Sequence, residues 1–171
     1  IGSDDIISVG SGSNTVIGGF GADQITGGDD QDVMIGDNGV ANFSLLGIPT
    51  TITTTFPSIG GVDVIYTGLG DNAVLGGYGG DLITGGDGRD VVVGDNGNAS
   101  FNASGVLIDI TTSDPTIGGV DIIQVGNGFN VVLGGIVGDQ ITGGNDRDVV
   151  IGDNGNAQFN GSGVLVAITT T

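Results

Sequence analysis

The chain has 171 residues, 38 of them Gly, and its 20 acidic residues against two basic ones leave a net charge of −18. That charge excludes nucleic acid, whose binding rests on Lys and Arg neutralising phosphates, and it disfavours an anionic membrane surface. The absence of Cys excludes a disulfide framework and a thiolate metal site, and no apolar run is long enough to span a membrane.

Every acid is Asp, and the only bases are Arg89 and Arg147. Glu serves solubility equally well, so the bias points to the short, stiff Asp stem that suits turns and small oxygen cages. Asp5, Asp63 and Asp121 stand 58 residues apart, as do Asp23, Asp81, Asp139 and Asp32, Asp90, Asp148. Self-similarity at a fixed period predicts a solenoid. The three tandem units are 1–58, 59–116 and 117–171, each a roll (1–39, 59–97, 117–155) followed by an insert (40–58, 98–116, 156–171). The chain has no signal peptide and no initiator Met, and reads as a segment of a longer repetitive polypeptide.

Along the first unit a nine-residue beat runs through Asp5, Asn14, Asp23 and Asp32. Two residues after each stands an apolar residue, Ile7, Val16, Ile25 and Met34, and these predict four short strands around a narrow core. Gly36-Asp37-Asn38-Gly39 closes the roll as a strong turn signal. Beyond it Phe43, Ile48 and Ile52 hint at two further strands.

The second unit repeats the beat at Asp63, Asn72, Asp81 and Asp90, with core residues Ile65, Val74, Ile83 and Val92. After Asp95 in the second Gly-Asp-Asn-Gly, Ala99 and Phe101 alternate, then Val106, Ile108 and Ile110, a strand–turn–strand pattern. This predicts a hairpin laid on the roll or one wider coil of it. The third unit follows with Asp121, Asn130, Asp139, Asp148 and Asp153, core residues Ile123, Val132, Ile141 and Val150, and insert residues Phe159, Val164, Val166 and Ile168.

Two nonapeptides make one coil, so residues 18 apart stack about 4.8 Å from each other. Carboxylates at ~5 Å repel by roughly 1 kcal/mol in water and ~3 kcal/mol near a protein surface. Repeated along an edge, this rivals the stability of a small domain unless cations intervene. Asp5, Asp23, Asp32, Asp63, Asp81, Asp90, Asp121, Asp139 and Asp148 are therefore candidate metal ligands. Asn14, Asn72 and Asn130 occupy the same place as neutral, weaker oxygen ligands, and Asp37, Asp95 and Asp153 are candidate extra ligands closing the last coil of each unit.

Outward places on one face of the roll are largely polar, as at Gln24, Tyr66 and Gln140, and apolar on the other, as at Val33, Leu75, Val93, Leu133 and Ile151. A continuous apolar face needs a cover, and the inserts are the nearest one, ahead of a second chain.

GGFGADQIT from Gly18, GGYGGDLIT from Gly76 and GGDGRDVVV from Gly85 fit G-G-x-G-x-D-x-U-x at every fixed place. The chain resembles the RTX, or hemolysin-type, calcium-binding repeat family of bacterial proteins. The resemblance implies an all-β fold, a parallel β-roll whose glycine-rich turns hold several calcium ions per unit and whose x-U-x triplets are strands. Besides the Asn in the Asp place and Ser3 for Gly in the opening turn, three fourth places depart from the pattern. Asp30 and Asp146 replace the fourth-place Gly, which Asp tolerates in a left-handed turn, and Val137 replaces it where a β-branched residue predicts a reshaped turn.

No catalytic constellation is expected without His, Cys or Lys. The leading reading is a calcium-stabilised structural segment of a long secreted bacterial adhesin, matrix protein or extracellular filament, located at the cell surface or in the matrix. Its expected partner is copies of itself. The alternatives are the calcium-triggered folding and secretion module of a type I-secreted toxin or hydrolase and, third, an ice-binding protein, which wants a flat Thr ladder that this chain keeps poorly.

Overall fold

A computed structural model describes residues 2–171. The first coil comprises β1 (Ile6–Ser8) and β2 (Thr15–Ile17), and the second β3 (Gln24–Thr26) and β4 (Val33–Ile35). A hairpin of β5 (Gly39–Phe43) and β6 (Pro49–Thr54) follows. The pattern recurs as β7 (Val64–Gly68), β8 (Ala73–Leu75), β9 (Leu82–Gly85) and β10 (Val91–Val93), with the hairpin β11 (Gly97–Phe101) and β12 (Leu107–Thr112). It recurs again as β13 (Ile122–Gln124), β14 (Val131–Leu133), β15 (Gln140–Thr142) and β16 (Val149–Ile151), with β17 (Gly155–Phe159) and β18 (Leu165–Thr170).

These strands make three layers of six strands each. The first sheet runs β1-β3-β7-β9-β13-β15 and the second β2-β4-β8-β10-β14-β16, both parallel. The register steps alternate: Ile25 pairs Ile65 across a hairpin, and Ile65 pairs Ile83 within a repeat. The roll is thus continuous past each hairpin. Period-2 alternation turns the central residue of each triplet inward. Val16, Ile25, Met34, Ile65, Val74, Ile83, Val92, Ile123 and Val132 fill the space between these two sheets. Ile7 and Ile141 are only partly buried, and Val150 is 44% exposed, so the expected core of twelve thins towards the outermost coils.

The inserts are hairpins, and they form the third sheet, an antiparallel meander β5-β6-β11-β12-β17-β18. It lies on the apolar face of the second sheet. Val33, Ile35, Leu75, Val93, Leu133 and Ile151 from below meet Ile52, Ala99, Phe101, Leu107, Ile110 and Phe159 from above in one cluster. The cover therefore comes from the chain itself. The expected alternation of Val106, Ile108 and Ile110 is broken by a β-bulge. Ser100 pairs Asp109 while Phe101 pairs Leu107, so Ile108 is the extra residue, and Leu107 and Ile110 are the buried ones. The outer hairpins bury less. Phe43 is 41% exposed, and Val166 and Ile168 on the last strand are exposed, as is Val164 just before it.

Of the three substituted fourth-place turns, two keep the left-handed conformation. Asp30 has φ 86° and Val137 φ 72°, so the turn at Val137 is not reshaped, whereas Asp146 does not take a positive φ. A left-handed conformation costs a residue with a Cβ roughly 1–2 kcal/mol. Val137→Gly is accordingly expected to raise the denaturation midpoint in urea. An unchanged or lower midpoint would show that Val137 is unstrained or that its side chain, 52% exposed, contributes more than the strain.

Candidate metal centre

The turns of the roll fall into two columns, one along each edge. On the first edge the backbone N–H of each ladder Asp donates to one carboxylate oxygen of the next coil. Asp5 donates to Asp23 Oδ1, Asp23 to Asp63, Asp63 to Asp81 and Asp81 to Asp121, all at 2.7 Å, and Asp121 to Asp139 at 2.9 Å. The stacking expected at intervals of 18 residues is present, and it passes each hairpin at an interval of 40.

The second oxygen is different. Oδ2 of Asp23, Asp63, Asp81, Asp121 and Asp139 is buried with no hydrogen-bond partner. Asp63 and Asp121 are fully buried, and Asp81 and Asp23 nearly so. Each of these oxygens lies against the glycine that opens its turn. A Cβ on Gly18 would collide with Asp23 Oδ2 and the carbonyl oxygen of Gly36, one on Gly76 with Asp81 Oδ2 and the Gly94 carbonyl, and one on Gly134 with Asp139 Oδ2 and the Gly152 carbonyl. A buried carboxylate oxygen without a partner is costly, and here it sits beside backbone carbonyls, which are acceptors themselves. A cation satisfies both at once without protonating the carboxylate. An all-oxygen donor set of carboxylate and carbonyl fits a hard divalent ion such as calcium. Among the described residues no three acidic side chains converge on one point, so an ion there would need backbone carbonyls beside the carboxylates.

Asp37 and Asp95 sit at the roots of the first two hairpins and reach forward into later coils. Asp37 accepts from Gly61 N–H at 2.9 Å and, through its other oxygen, from Tyr78 N–H. Asp95 accepts from Gly119 at 2.8 Å and Ile136 at 2.6 Å. Asp153 is exposed. The neighbouring Asn has a part that the sequence reading missed. Asn38 Nδ2 donates to Ile59 O, Asn96 to Pro57 O and Ile117 O, and Asn154 to Pro115 O, clipping the chain leaving or re-entering the roll. The signal was the unchanged Gly-Asp-Asn-Gly, more than a turn requires.

On the second edge Asp and Asn alternate. Asn14 N–H donates to Asp32 Oδ1 at 2.8 Å, Asp32 to Asn72 Oδ1 at 2.9 Å, Asn72 to Asp90 at 3.1 Å, Asp90 to Asn130 at 2.9 Å and Asn130 to Asp148 at 3.0 Å. Asp90 Oδ2 is buried and unpartnered as on the first edge, whereas Asp32 Oδ2 accepts a long bond from Gly28 at 3.4 Å. The three Asn donate Nδ2 to glycine carbonyls of their own turn, and Asn72 Nδ2 donates also to Asp90 Oδ1 at 3.1 Å, a use not foreseen from the sequence.

The metal-free electrostatics follow. Burial pushes Asp63 up to about 7, Asp95 to about 7, Asp121 to about 8 and Asp90 to about 6. Burial and then the Asp63 charge push Asp37 up to about 8. Burial raises Asp81 well above the usual carboxylate range, and Asp23 and Asp139 in the same direction. Without a counter-ion, burial works against the ionised form of each of these groups.

The chain matches the RTX calcium-binding nonapeptide repeat over residues 8–40, 66–100 and 138–162, more than half its length. No curated protein and no solved structure matches it. Ca2+ is the ion these repeats bind, and the unpartnered Asp oxygens with the carbonyls of Gly36, Gly94 and Gly152 are the groups that would hold it. With its parallel roll, its glycine-opened turns and its column of half-satisfied carboxylates, the chain belongs to the RTX calcium-binding repeat family.

Proposed function

We propose that this calcium-binding repeat module has a mechanical rather than a catalytic role, as a structural segment of a long secreted bacterial adhesin, matrix protein or extracellular filament. The observation that supports it is continuity. All three sheets pass from one 58-residue repeat to the next, through β3–β7 and β9–β13, β4–β8 and β10–β14, and β6–β11 and β12–β17. Each repeat offers at its far side the strands that it accepts at its near side. Further copies, in one chain or end to end, lengthen the rod without a new interface, and stability in such arrays is a sum of units and contacts between neighbours. Each repeat contributes two coils and so advances the axis by about 10 Å. Calcium outside the bacterial cell would load such a segment after export, since extracellular calcium modules work at ~10⁻⁴–10⁻³ M.

Electron microscopy of the native material in calcium tests this reading. Thin rods or fibres are expected, with an axial repeat of about 10 Å per unit or a small multiple of it. Discrete globular particles would overturn it and favour the secretion module of a larger toxin or hydrolase.

A further inference from the structure

The three Asn turns of the second edge differ from every Asp turn in a second respect, five residues earlier. Gly18, Gly27, Gly76, Gly85, Gly134 and Gly143 stand five places before Asp23, Asp32, Asp81, Asp90, Asp139 and Asp148. Where a hairpin intervenes, Gly36 and Gly94 take that place against Asp63 and Asp121. Before Asn14, Asn72 and Asn130 the corresponding residues are Val9, Thr67 and Val125.

The geometry explains why the two places change together. In an Asp turn the opening residue must be Gly because a Cβ would run into the ladder carboxylate, as at Gly27 with Asp32 Oδ2, Gly85 with Asp90 Oδ2 and Gly143 with Asp148 Oδ2. In an Asn turn a side chain takes up that space. Val125 is 5% exposed within the core between the two parallel sheets, Val9 packs against it, and Thr67 is fully buried with Oγ1 donating to Gly68 O at 3.2 Å. The amide then closes the turn. Asn14 Nδ2 donates to the carbonyls of Gly10 and Gly12 at 2.8 and 2.6 Å. Asn72 Nδ2 reaches Gly70 O at 3.0 Å and Asp90 Oδ1 in the next coil at 3.1 Å, and Asn130 Nδ2 reaches Gly126 O and Gly128 O at 2.9 and 3.3 Å. None of the buried side-chain oxygens without a partner belongs to these turns, and all of them are Asp Oδ2. An N–H donor there satisfies carbonyls of its own turn, at the second and fourth places of the nonapeptide, with no ion required.

Resting on the calcium reading above, we propose that Asn14, Asn72 and Asn130 are not metal ligands, and that with Val9, Thr67 and Val125 they form turns that close without an ion. Calcium then loads the first edge continuously and the second edge only at the alternate turns of Asp32, Asp90 and Asp148. The rod carries a dense and a sparse row of ions, and the pair of residues at the first and sixth places of a nonapeptide decides which kind of turn it makes.

Bound calcium is counted by elemental analysis after equilibrium dialysis of the full chain, wild type beside Asn72→Ala and Thr67→Gly/Asn72→Asp, with circular dichroism recorded on each. Asn72→Ala is expected to keep the wild-type calcium count and to melt at a lower temperature, because Gly70 O loses its donor. Thr67→Gly/Asn72→Asp is expected to bind one calcium more per chain. Loss of a calcium in Asn72→Ala would make the amide a ligand and overturn the inference, as would an unchanged count in the double variant with its strand signal intact. If the double variant fails to fold in calcium, Val125→Gly/Asn130→Asp is scored in the same way. A wild-type chain that binds no calcium overturns the calcium reading itself, an outcome distinct from either variant departing alone.

Discussion

Stripped of calcium at neutral pH, the chain is expected to lose most of its strand signal, and millimolar calcium to restore it. Five ladder carboxylates on one edge keep an oxygen buried without a partner, and Asp90 does so on the other. Their neighbours in the column are further carboxylates and glycine carbonyls, so nothing in the protein itself offsets the charge. The backbone N–H bonds to Oδ1 satisfy half of each group and align it, but leave the other half facing acceptors. A calcium concentration a hundredfold above a site's dissociation constant adds about 2.7 kcal/mol per site. Two or three such sites give about 5–8 kcal/mol, the lower part of the roughly 5–15 kcal/mol stability of an ordinary domain. Folding then becomes conditional on the ion. Circular dichroism at neutral pH, in chelator and then in excess calcium, reads this directly, and a full strand signal in chelator would refute it.

Acid should rescue the metal-free chain. Asp37 and Asp121 titrate at about 8 in the folded state, and Asp63 and Asp95 at about 7, against an ordinary value of 3.8. Between those limits the folded chain holds protons that the unfolded chain has released, so stability falls as pH rises. Each unit of upward shift costs about 1.4 kcal/mol once pH exceeds both values. The penalty is absent below about pH 4 and complete above about pH 8. Melting temperatures of calcium-free protein should fall steadily across that window. With calcium saturating, the slope should flatten or reverse, because the ion binds the deprotonated form and its uptake releases protons. A calcium-free melting temperature that climbs with pH would mean the carboxylates are not buried as described.

Period and pattern carried most of this architecture into view. The 58-residue repeat and the nine-residue beat placed the strands of the roll, because a solenoid imposes the same geometry on each copy. The apolar outward row at Val33, Leu75, Val93 and Leu133 pointed to a cover from the inserts, which the third sheet provides. What stayed hidden depends on contacts between coils. The bulge that admits Ile108 is a matter of register between two strands, invisible to alternation within one. The Asn ladder looked like a weakened Asp ladder because the two share a beat. Their difference lies in where Nδ2 points, and in Val9, Thr67 and Val125, which the nine-residue beat of Asp and Asn does not single out. Asp37 and Asp95 were expected at the end of a coil. That they grip the next two coils follows only from the stacking.

The course of the hydrogen bonds between strands bears on how such a rod answers tension. In all three sheets the strands follow one another along the axis in chain order, so their ladders point along it. A pull on the two ends therefore opens bonds in succession, like a zip, rather than shearing many at once. One repeat occupies about 10 Å of axis but holds roughly 200 Å of extended chain. A repeat that yields thus pays out about twenty times its folded length, and stretching of single molecules would record that step. Because calcium offsets the carboxylates of each coil, a repeat that has yielded is expected to wind up again when tension is released in calcium and to stay extended in chelator, and relaxation of the same molecules would record the difference.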